Sequence, residues 1–257
     1  MLARIRERIN LKRHKATQRA WENAVRLASE RAPDQLRVLS GYARQQKTQL
    51  ERIIHLLDSK LMLPLIAADA IRKPMYCDWA YRPEIWRGPL ALHGLAGVDS
   101  QTMFGDETTV FHDCQTSELT LRQSRNTQQT ALAPFGLRMD VFCFDGSFLS
   151  LAIDLPQEAA QGLKMTHVLR VSTIMEIEKP LEIFVRLNIR HGPNTEQIVR
   201  EMPLKEGEMM VEFDLAYVKI NERRLERMWL DLIFERPAMN QIVIRDLTLT
   251  RRPRAEL

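Results

Sequence analysis

The spacing of apolar residues changes between residues 60 and 90 of this chain. Up to residue 60, apolar side chains recur every three or four positions, which is the period of an amphipathic helix. From residue 105 they alternate with polar residues, which is the period of a β-strand that buries one face. The sequence therefore predicts a basic helical arm over residues 1–73, a linker over residues 74–104 and a β-domain over residues 105–257.

The helical arm is predicted to be a hairpin of two helices with a break at Pro33. The second helix repeats apolar residues at heptad spacing, and Gln46 occupies the one polar position of this seam. The apolar seam positions are Leu36, Leu39, Ala43, Leu50, Ile53 and Leu57. About three heptads suit a hairpin with residues 1–31 and are short for an independent coiled coil. Homo-oligomerisation, or docking of a protein partner through residues 1–60, is therefore one function open to the arm.

Charge is distributed unevenly along the chain. Residues 1–60 contain 14 Lys and Arg against 6 Asp and Glu, a net charge of +8, whereas residues 61–257 contain 23 against 27, a net charge of −4. A basic arm attracts acidic proteins, anionic lipid or nucleic acid, and its simplest partner is the acidic body of the same chain.

Membrane-surface and nucleic-acid binding are the weaker alternatives for the arm. Leu2, Ile5 and Ile9 form the kind of apolar face that inserts into a membrane surface. However, no aromatic residue precedes Trp21, and no DNA-reading helix pattern is present.

The sequence favours a cytoplasmic protein. Its cysteines, Cys77, Cys114 and Cys143, stand at unrelated spacings, which does not suit a disulfide framework. Residues 1–15 are interrupted throughout by Lys and Arg, so they lack the apolar region of a signal peptide. The longest apolar run, residues 61–68, is far shorter than the ~20 residues that span a bilayer.

The linker is rich in proline and glycine and is predicted to be poor in regular structure. It contains three large aromatic residues, Trp79, Tyr81 and Trp86. The simplest interpretation is that these side chains strap the linker across the β-domain by burying apolar area. The alternative is a flat stacking platform for a sugar ring or a base.

The β-domain is predicted to contain about ten strands with turn signals between them and no long helix. Strands in that arrangement favour antiparallel sheets, and ten of them are too many for one sheet with a single buried face. We therefore expect two sheets packed as a jelly-roll-like β-sandwich. The predicted strands are residues 108–112, 118–123, 137–144, 148–155, 166–177, 181–190, 197–201, 208–215, 227–235 and 241–251.

Alternation assigns the side chains of each strand to two faces. Leu230 and Leu232, for example, face away from Trp229 and Asp231. Polar faces of this kind suit glycans, because guanidinium and carboxylate groups bind pairs of hydroxyls and an aromatic ring stacks on a sugar ring. The alternative is a solvated face that carries cross-strand ion pairs. The candidate ligand-binding residues are Arg122, Arg138, Asp140, Arg186, Asn188, Trp229 and Asp231.

Two sets of residues resemble known families. Residues 208–250, and the final strand over 241–250 in particular, resemble the last strands of carbohydrate-binding β-sandwich modules. That resemblance implies the fold and carries over no sugar-contacting residue. Several phrases, among them residues 111–114 (Phe-His-Asp-Cys) and 186–194 (Arg-Leu-Asn-Ile-Arg-His-Gly-Pro-Asn), resemble an uncharacterised family of alphaproteobacterial proteins. That resemblance would cover most of the chain and implies no activity.

No catalytic, metal-binding or cofactor motif stands out in the sequence. His112 and Cys114 share a strand face, but two ligands do not make a metal site, and neither C-x-x-C nor H-E-x-x-H occurs. Ser147 does not lie in a G-x-S-x-G elbow, and there is no phosphate-binding glycine loop. We therefore predict no catalytic residue, no metal and no cofactor.

These observations leave three functions open. The first is a non-enzymatic binding protein, a β-sandwich that recognises a glycan and is presented by the helical arm. The second is a structural or interaction protein that assembles through the arm. The third is a β-sandwich glycoside hydrolase, which needs two carboxylates in a groove. The sequence therefore leaves it undecided whether the protein has an enzymatic activity.

Overall fold

The computed structural model describes residues 15–28, 31–66, 71–127 and 131–254. The chain divides into two compact units, Met1–Ile54 and His55–Leu257. The predicted apolar face of Leu2, Ile5 and Ile9 lies outside the described residues.

In its described residues the arm contains two helices, α1 over residues 15–26 and α2 over Pro33–Ile66. α2 begins at the predicted break, where proline is tolerated because the first N–H groups of a helix have no intrahelical partner. Asp34 stands in the first turn, where a negative charge complements the helix dipole. The predicted helical segment ahead of the β-domain is thus confirmed.

The seam of α2 is buried unevenly along the helix. Leu36, Leu39 and Ala43, near its beginning, are partly buried. The later seam positions Leu50, Ile53 and Leu57 are 56%, 52% and 53% exposed. Within the described residues, no helix combines the length and the apolar character needed to cross a bilayer.

The β-domain consists of two antiparallel sheets. The strands are β1 Trp79–Tyr81, β2 Gly94–Ala96, β3 Thr102–Met103, β4 Thr108–His112, β5 Leu119–Arg125, β6 Phe135–Val141, β7 Phe148–Asp154, β8 His167–Ile177, β9 Ile183–His191, β10 Asn194–Glu201, β11 Glu208–Asp214, β12 Leu225–Glu235 and β13 Asn240–Pro253. One sheet has seven strands in the order β11-β8-β13-β6-β5-β2, with β1 also paired to β13. The other has six strands in the order β10-β9-β12-β7-β4-β3. The predicted antiparallel β-sandwich is confirmed, and each predicted strand is present with its ends displaced by at most three residues.

A hydrophobic core lies between the inner faces of the two sheets. Val185 and Leu187 of β9 are completely buried in it, as are Leu230 and Leu232 of β12. Each side chain of this kind contributes about 1.5–3 kcal/mol by leaving water. The alternate residues of these strands therefore lie on the outer faces of the sandwich, as the sequence predicted.

The linker is more regular than predicted. It contains β1, β2, β3 and the single helical turn α3, Glu84–Arg87. These strands are two or three residues long and take their hydrogen-bond partners from β13, β5 and β4. A local pattern could not reveal them, because their partners come from distant parts of the chain.

The linker aromatics pack into the β-domain, as the simpler interpretation expected. Trp86 is completely buried, and its indole Nε1 donates a hydrogen bond to the carbonyl of Ile244 at 2.9 Å. Trp79 and Tyr81 stack on each other at 5.8 Å between ring centroids and pack against the core. A stacking platform that includes Trp86 is therefore excluded.

Candidate functional site

The seven candidate ligand-binding residues lie on two different sheets. Three belong to β5 and β6 of the seven-stranded sheet: Arg122, Arg138 and Asp140. Four belong to β9 and β12 of the six-stranded sheet: Arg186, Asn188, Trp229 and Asp231. Because the sheets pack through their inner faces, the two groups lie on opposite sides of the sandwich. The structure does not bring the seven residues together on one surface.

The group on the seven-stranded sheet contains one ion pair within β6, and Arg122 of β5 lies opposite Arg138 in the strand register. Arg138 Nε donates to both carboxylate oxygens of Asp140, at 3.0 and 2.9 Å, and Gln241 Nε2 donates to the same carboxylate at 2.8 Å. Burial acts to raise the pKa of Asp140, but the hydrogen bonds from Arg138 and Gln241 outweigh it and hold the pKa below its ordinary value. This arrangement fits the solvated, ion-paired face that was the alternative to a binding site.

The group on the six-stranded sheet is built around a buried carboxylate. Arg186 and Asp231 are cross-strand partners, and Arg186 Nε donates to Asp231 Oδ2 at 2.7 Å. Asn188 Nδ2 donates to the same oxygen at 2.9 Å. Asp231 is 3% exposed and Asn188 is completely buried. These two residues therefore hold Arg186 in place and cannot themselves reach a ligand.

Trp229 is not a free stacking surface. The guanidinium of Arg227 lies over its ring, with Cζ 5.4 Å from the centroid, as in a cation–π contact. Arg227 is in turn ion-paired with Asp154 of the neighbouring strand β7. A sugar would stack on the covered side of this ring only after Arg227 had moved.

A cavity of about 410 Å³ opens on the outer face of the six-stranded sheet, at one end of the β7–β12 pair. Its position follows from the strand register, which places Ile233 opposite Ser150 and Glu235 opposite Phe148. We call it the β7–β12 cavity. Its lining residues are Ser147, Phe148, Ser150, Arg186, Ile233, Glu235 and Arg236.

The wall of the β7–β12 cavity is braced by Asp113. Its Oδ1 accepts the backbone N–H groups of Ser147 at 2.8 Å and of Phe148 at 3.2 Å, and its Oδ2 accepts the Ser147 hydroxyl at 2.5 Å. The hydroxyl of Ser147 is the main reason that the pKa of Asp113 is lowered from its ordinary value. On the other side of the cavity, the backbone N–H of Arg236 donates to the backbone carbonyl of Ser147 at 2.9 Å. These hydrogen bonds hold the turn before β7 against the end of β12.

Of the residues that line the β7–β12 cavity, sequence reasoning selected only Arg186. Ile233 and Glu235 share the outward face of β12 with Trp229 and Asp231, but no sequence pattern showed which strand would lie beside them. The available signals were the turn residues Asp145-Gly146 and Arg236-Pro237, which mark the ends of β7 and β12. Knowing that these turns meet requires the tertiary structure.

The described residues also contain a pair of interacting carboxylates, Glu84 and Glu107. The Glu107 carboxylate accepts the Tyr81 hydroxyl at 2.5 Å and the Glu84 N–H at 2.8 Å. The Glu84 carboxylate in turn accepts the backbone N–H groups of Asp106 and Glu107. Burial raises the pKa of Glu84 and is the main cause that raises the pKa of Tyr81. These bonds tie α3 to the segment before β4, which is a structural role.

His112 and Cys114 are used by the fold rather than by a metal site. His112 is buried, with Nε2 3.0 Å from the carbonyl of Val98, and Cys114 Sγ donates to Asp145 Oδ1 at 2.7 Å. Burial raises the pKa of the Cys114 thiol. Among the described residues, no three His, Cys, Asp or Glu side chains lie close enough together to hold a metal ion.

Solved structures with a similar arrangement of strands are distant in sequence. A family 11 carbohydrate-binding module from Clostridium thermocellum, in complex with a mixed-linked tetrasaccharide, is 9% identical, with a TM-score of 0.39, 65% of this chain covered and 99% of that chain. A cyclase from Fischerella sp. TAU is 11% identical, with a TM-score of 0.42 and coverages of 69% and 100%. The enzymatically active domain of bacteriophage CBA120 tailspike protein 4 is 7% identical, with a TM-score of 0.40, and this chain covers 60% of its own length and 21% of that chain. Likenesses this distant carry no activity over to this chain.

Sequence comparison assigns the chain to a family. No functionally curated protein matches it in sequence. One family model matches over residues 1–257, which is the whole of the sequence. The chain therefore belongs to the family of unknown function DUF6478.

Proposed function

We propose that this protein is a non-enzymatic carbohydrate-binding protein whose site is the β7–β12 cavity. The single observation that carries the proposal is the composition of that cavity, in which an apolar wall stands beside a fixed guanidinium. Phe148 and Ile233 are partly buried and form the apolar wall. Such a wall suits the C–H face of a sugar ring, and a volume of about 410 Å³ lies within the range of small-molecule sites.

The polar side of the β7–β12 cavity supports recognition of hydroxyls. Arg186 has 36% of its side chain exposed and is anchored through Nε to Asp231, so its terminal nitrogens are held in one orientation. Anchoring lowers the conformational entropy that the side chain loses when a ligand binds. Ser150, Glu235 and Arg236 add a hydroxyl, a carboxylate and a second guanidinium to the same lining.

A glycan array followed by isothermal titration calorimetry tests the proposal. We expect the full chain to bind at least one saccharide. Arg186→Lys, which loses the planar donor geometry, and Phe148→Ala, which loses the apolar wall, should each weaken binding at least about tenfold, or ~1.4 kcal/mol. Arg122→Lys, on the opposite sheet, is the matched control and should leave the affinity unchanged. Absence of binding by the folded protein, or an equal loss in the control, would contradict the proposal.

A glycoside hydrolase is supported less well. Glycosidases of the usual kinds place two carboxylates on either side of the scissile bond. Glu235 is the one carboxylate that lines the β7–β12 cavity among the described residues, and Asp231 is buried behind Arg186. The Glu84–Glu107 pair is occupied by backbone and tyrosine donors.

A second candidate function is self-assembly through α2. The observation that favours it is the exposure of Leu50, Ile53 and Leu57 at consecutive heptad positions. Light scattering tests it: Ile53→Gln should lower the mass of an oligomer, whereas Val38→Gln, an exposed apolar position off the seam, should not. A monomeric wild-type chain at every concentration tested would exclude this function.

A further inference from the structure

We propose that the β7–β12 cavity selects uncharged saccharides over acidic ones, an inference that rests on the proposed carbohydrate-binding function. The observation behind it is that the positive charges of this face are matched by negative ones. Acidic ligands are recognised where guanidinium or ammonium groups outnumber carboxylates. The outer face of the six-stranded sheet does not have that excess.

Cations and anions balance when the buried Asp231 behind Arg186 is counted together with the charged residues of the cavity lining. Arg186 is paired with the buried carboxylate of Asp231 at 2.7 Å. Glu235 and Arg236 are both exposed lining residues, and neither forms an ion pair with any residue that the structure describes. Two guanidinium groups therefore stand with two carboxylates, so the site carries no excess of positive charge, and an incoming uronate would meet the repulsion of Glu235 as well as the attraction of Arg236.

Positive and negative charges are also matched beyond the cavity, on the outer face of the six-stranded sheet. Arg190 is ion-paired with Glu226 at 3.2 Å, and Arg227 is ion-paired with Asp154. On the far side of β9, register places Glu201 of β10 opposite Phe184, so this edge adds another negative charge. Residues 61–257 as a whole carry a net charge of −4. This part of the chain therefore supplies no excess of positive charge to draw an anion towards the face.

An uncharged saccharide can use every polar group of the cavity without this penalty. Its hydroxyls donate to the Glu235 carboxylate and accept from the guanidinium groups of Arg186 and Arg236. Hydrogen bonds in which one partner is charged are roughly twice as strong as neutral ones. These hydrogen bonds do not require the ligand to carry a charge. Phe148 and Ile233 supply the apolar contact.

Titration calorimetry with size-matched oligosaccharides tests this selectivity. The probes are cellohexaose, mannohexaose and xylohexaose as uncharged ligands, hexagalacturonate as the acidic ligand and a chitosan hexamer as the cationic one. We expect an uncharged probe to bind most tightly, with an affinity that changes less than about twofold between about 20 mM and about 500 mM NaCl. Tightest binding of hexagalacturonate, weakened by salt, would overturn the inference and leave the carbohydrate-binding function standing. Tightest binding of the chitosan hexamer would contradict the charge balance on which the inference depends, because it would show that the face carries an excess of negative charge. Absence of binding to all probes would overturn both.

A charge variant gives an independent readout. Glu235→Gln removes an exposed carboxylate from the lining and preserves the side-chain shape. It should raise the affinity for hexagalacturonate several-fold over wild type and lower the affinity for the best uncharged probe, whose hydroxyl loses a charged acceptor, so that the ratio of the two affinities shifts towards the acidic ligand. Glu158→Gln, an exposed position in the helical turn α4, Gln157–Ala160, is the matched control and should change neither. No gain for hexagalacturonate in Glu235→Gln would contradict the inference.

Discussion

Arg186 and Asp231 form a cross-strand ion pair in which only the arginine reaches solvent. Arg186 has 36% of its side chain exposed, whereas Asp231 has 4%. The buried carboxylate also accepts a hydrogen bond from Asn188 at 2.9 Å. A charge that is taken out of water in this way is retained only when its partners are correctly placed. The pair therefore ties the stability of the sheet to the orientation of the one predicted residue that lines the β7–β12 cavity.

Asp231→Ala should lower the free energy of unfolding by about 2–3 kcal/mol, because Arg186 and Asn188 both lose their buried acceptor. The measurement is urea denaturation followed by circular dichroism. Asp140→Ala is the matched control on the opposite sheet. Its partner Arg138 is 44% exposed, so the loss there should not exceed about 1 kcal/mol. Equal losses at the two positions would contradict the different roles assigned to the two pairs.

Trp86→Phe should lower the free energy of unfolding by about 1–3 kcal/mol, because the carbonyl of Ile244 loses its indole donor in a buried setting. Trp86→Ala should cost about 3–5 kcal/mol, since it also leaves a cavity. Trp79→Phe, at a partly buried position of the same linker, is the comparison and should cost less. If urea denaturation gives wild-type stability for Trp86→Ala, the linker is not an integral part of the β-domain.

Gly146→Ala should loosen the wall of the β7–β12 cavity. A Cβ at this position would stand 2.5 Å from Asp113 Oδ1 and 2.8 Å from the backbone nitrogen of Cys114. Asp113 would have to move, and its bonds to Ser147 and Phe148 would weaken. Lower thermal stability and weaker saccharide binding are both expected, the latter measured by calorimetry. Gly88→Ala, where a Cβ would meet nothing within 4 Å, should alter neither. Wild-type behaviour of Gly146→Ala would show that this brace is not required.

Stability should fall as the pH is lowered from about 7 to about 5.5. Burial is the main cause that lowers the pKa of His167 below its ordinary value of about 6.5. Its Nδ1 accepts the Lys164 N–H at 3.0 Å, which requires the neutral ring. Between the folded and the unfolded pKa, the unfolded chain binds more protons, so protonation favours unfolding. The groups that act on the ring electrostatically are Asp78, Lys164, Glu222 and Arg251.

Urea denaturation at several pH values measures this effect. In His167→Gln the dependence of stability on pH should be weaker over the same range, because no group titrates at this position. A slope as steep as that of wild type would assign the effect to other groups.

The strands were the most predictable part of the fold. β4 spans the predicted residues. The apolar residues that alternate along β9 and β12 face inwards and are completely buried: Ile183, Val185, Leu230 and Leu232. The prediction of these strands succeeded because alternation is a property of each strand alone and follows from which of its faces is buried. The short strands of the linker were missed because two or three residues carry no period, and their pairing with β13, β5 and β4 spans long separations.

The candidate site was predicted only in part for a related reason. Alternation correctly placed Arg138 and Arg186 on outward faces, but it does not say which sheet a strand joins. The structure put these residues on opposite sides of the sandwich. It also covered Trp229 with Arg227 and buried Asp231 and Asn188, which a pattern of polar residues cannot foresee.

The sequence by itself determined the change from helix to strand, the separation of charge between arm and body, and the face on which each strand residue lies. These three features depend on the periodicity and composition of residues that are close together in the sequence. Only the tertiary structure decided that the turns beside Ser147 and Arg236 meet, that Asp113 braces them, and that Phe148, Ile233 and Arg186 surround one cavity. Strand order and register bring together residues that are far apart in sequence, and no local pattern encodes that proximity.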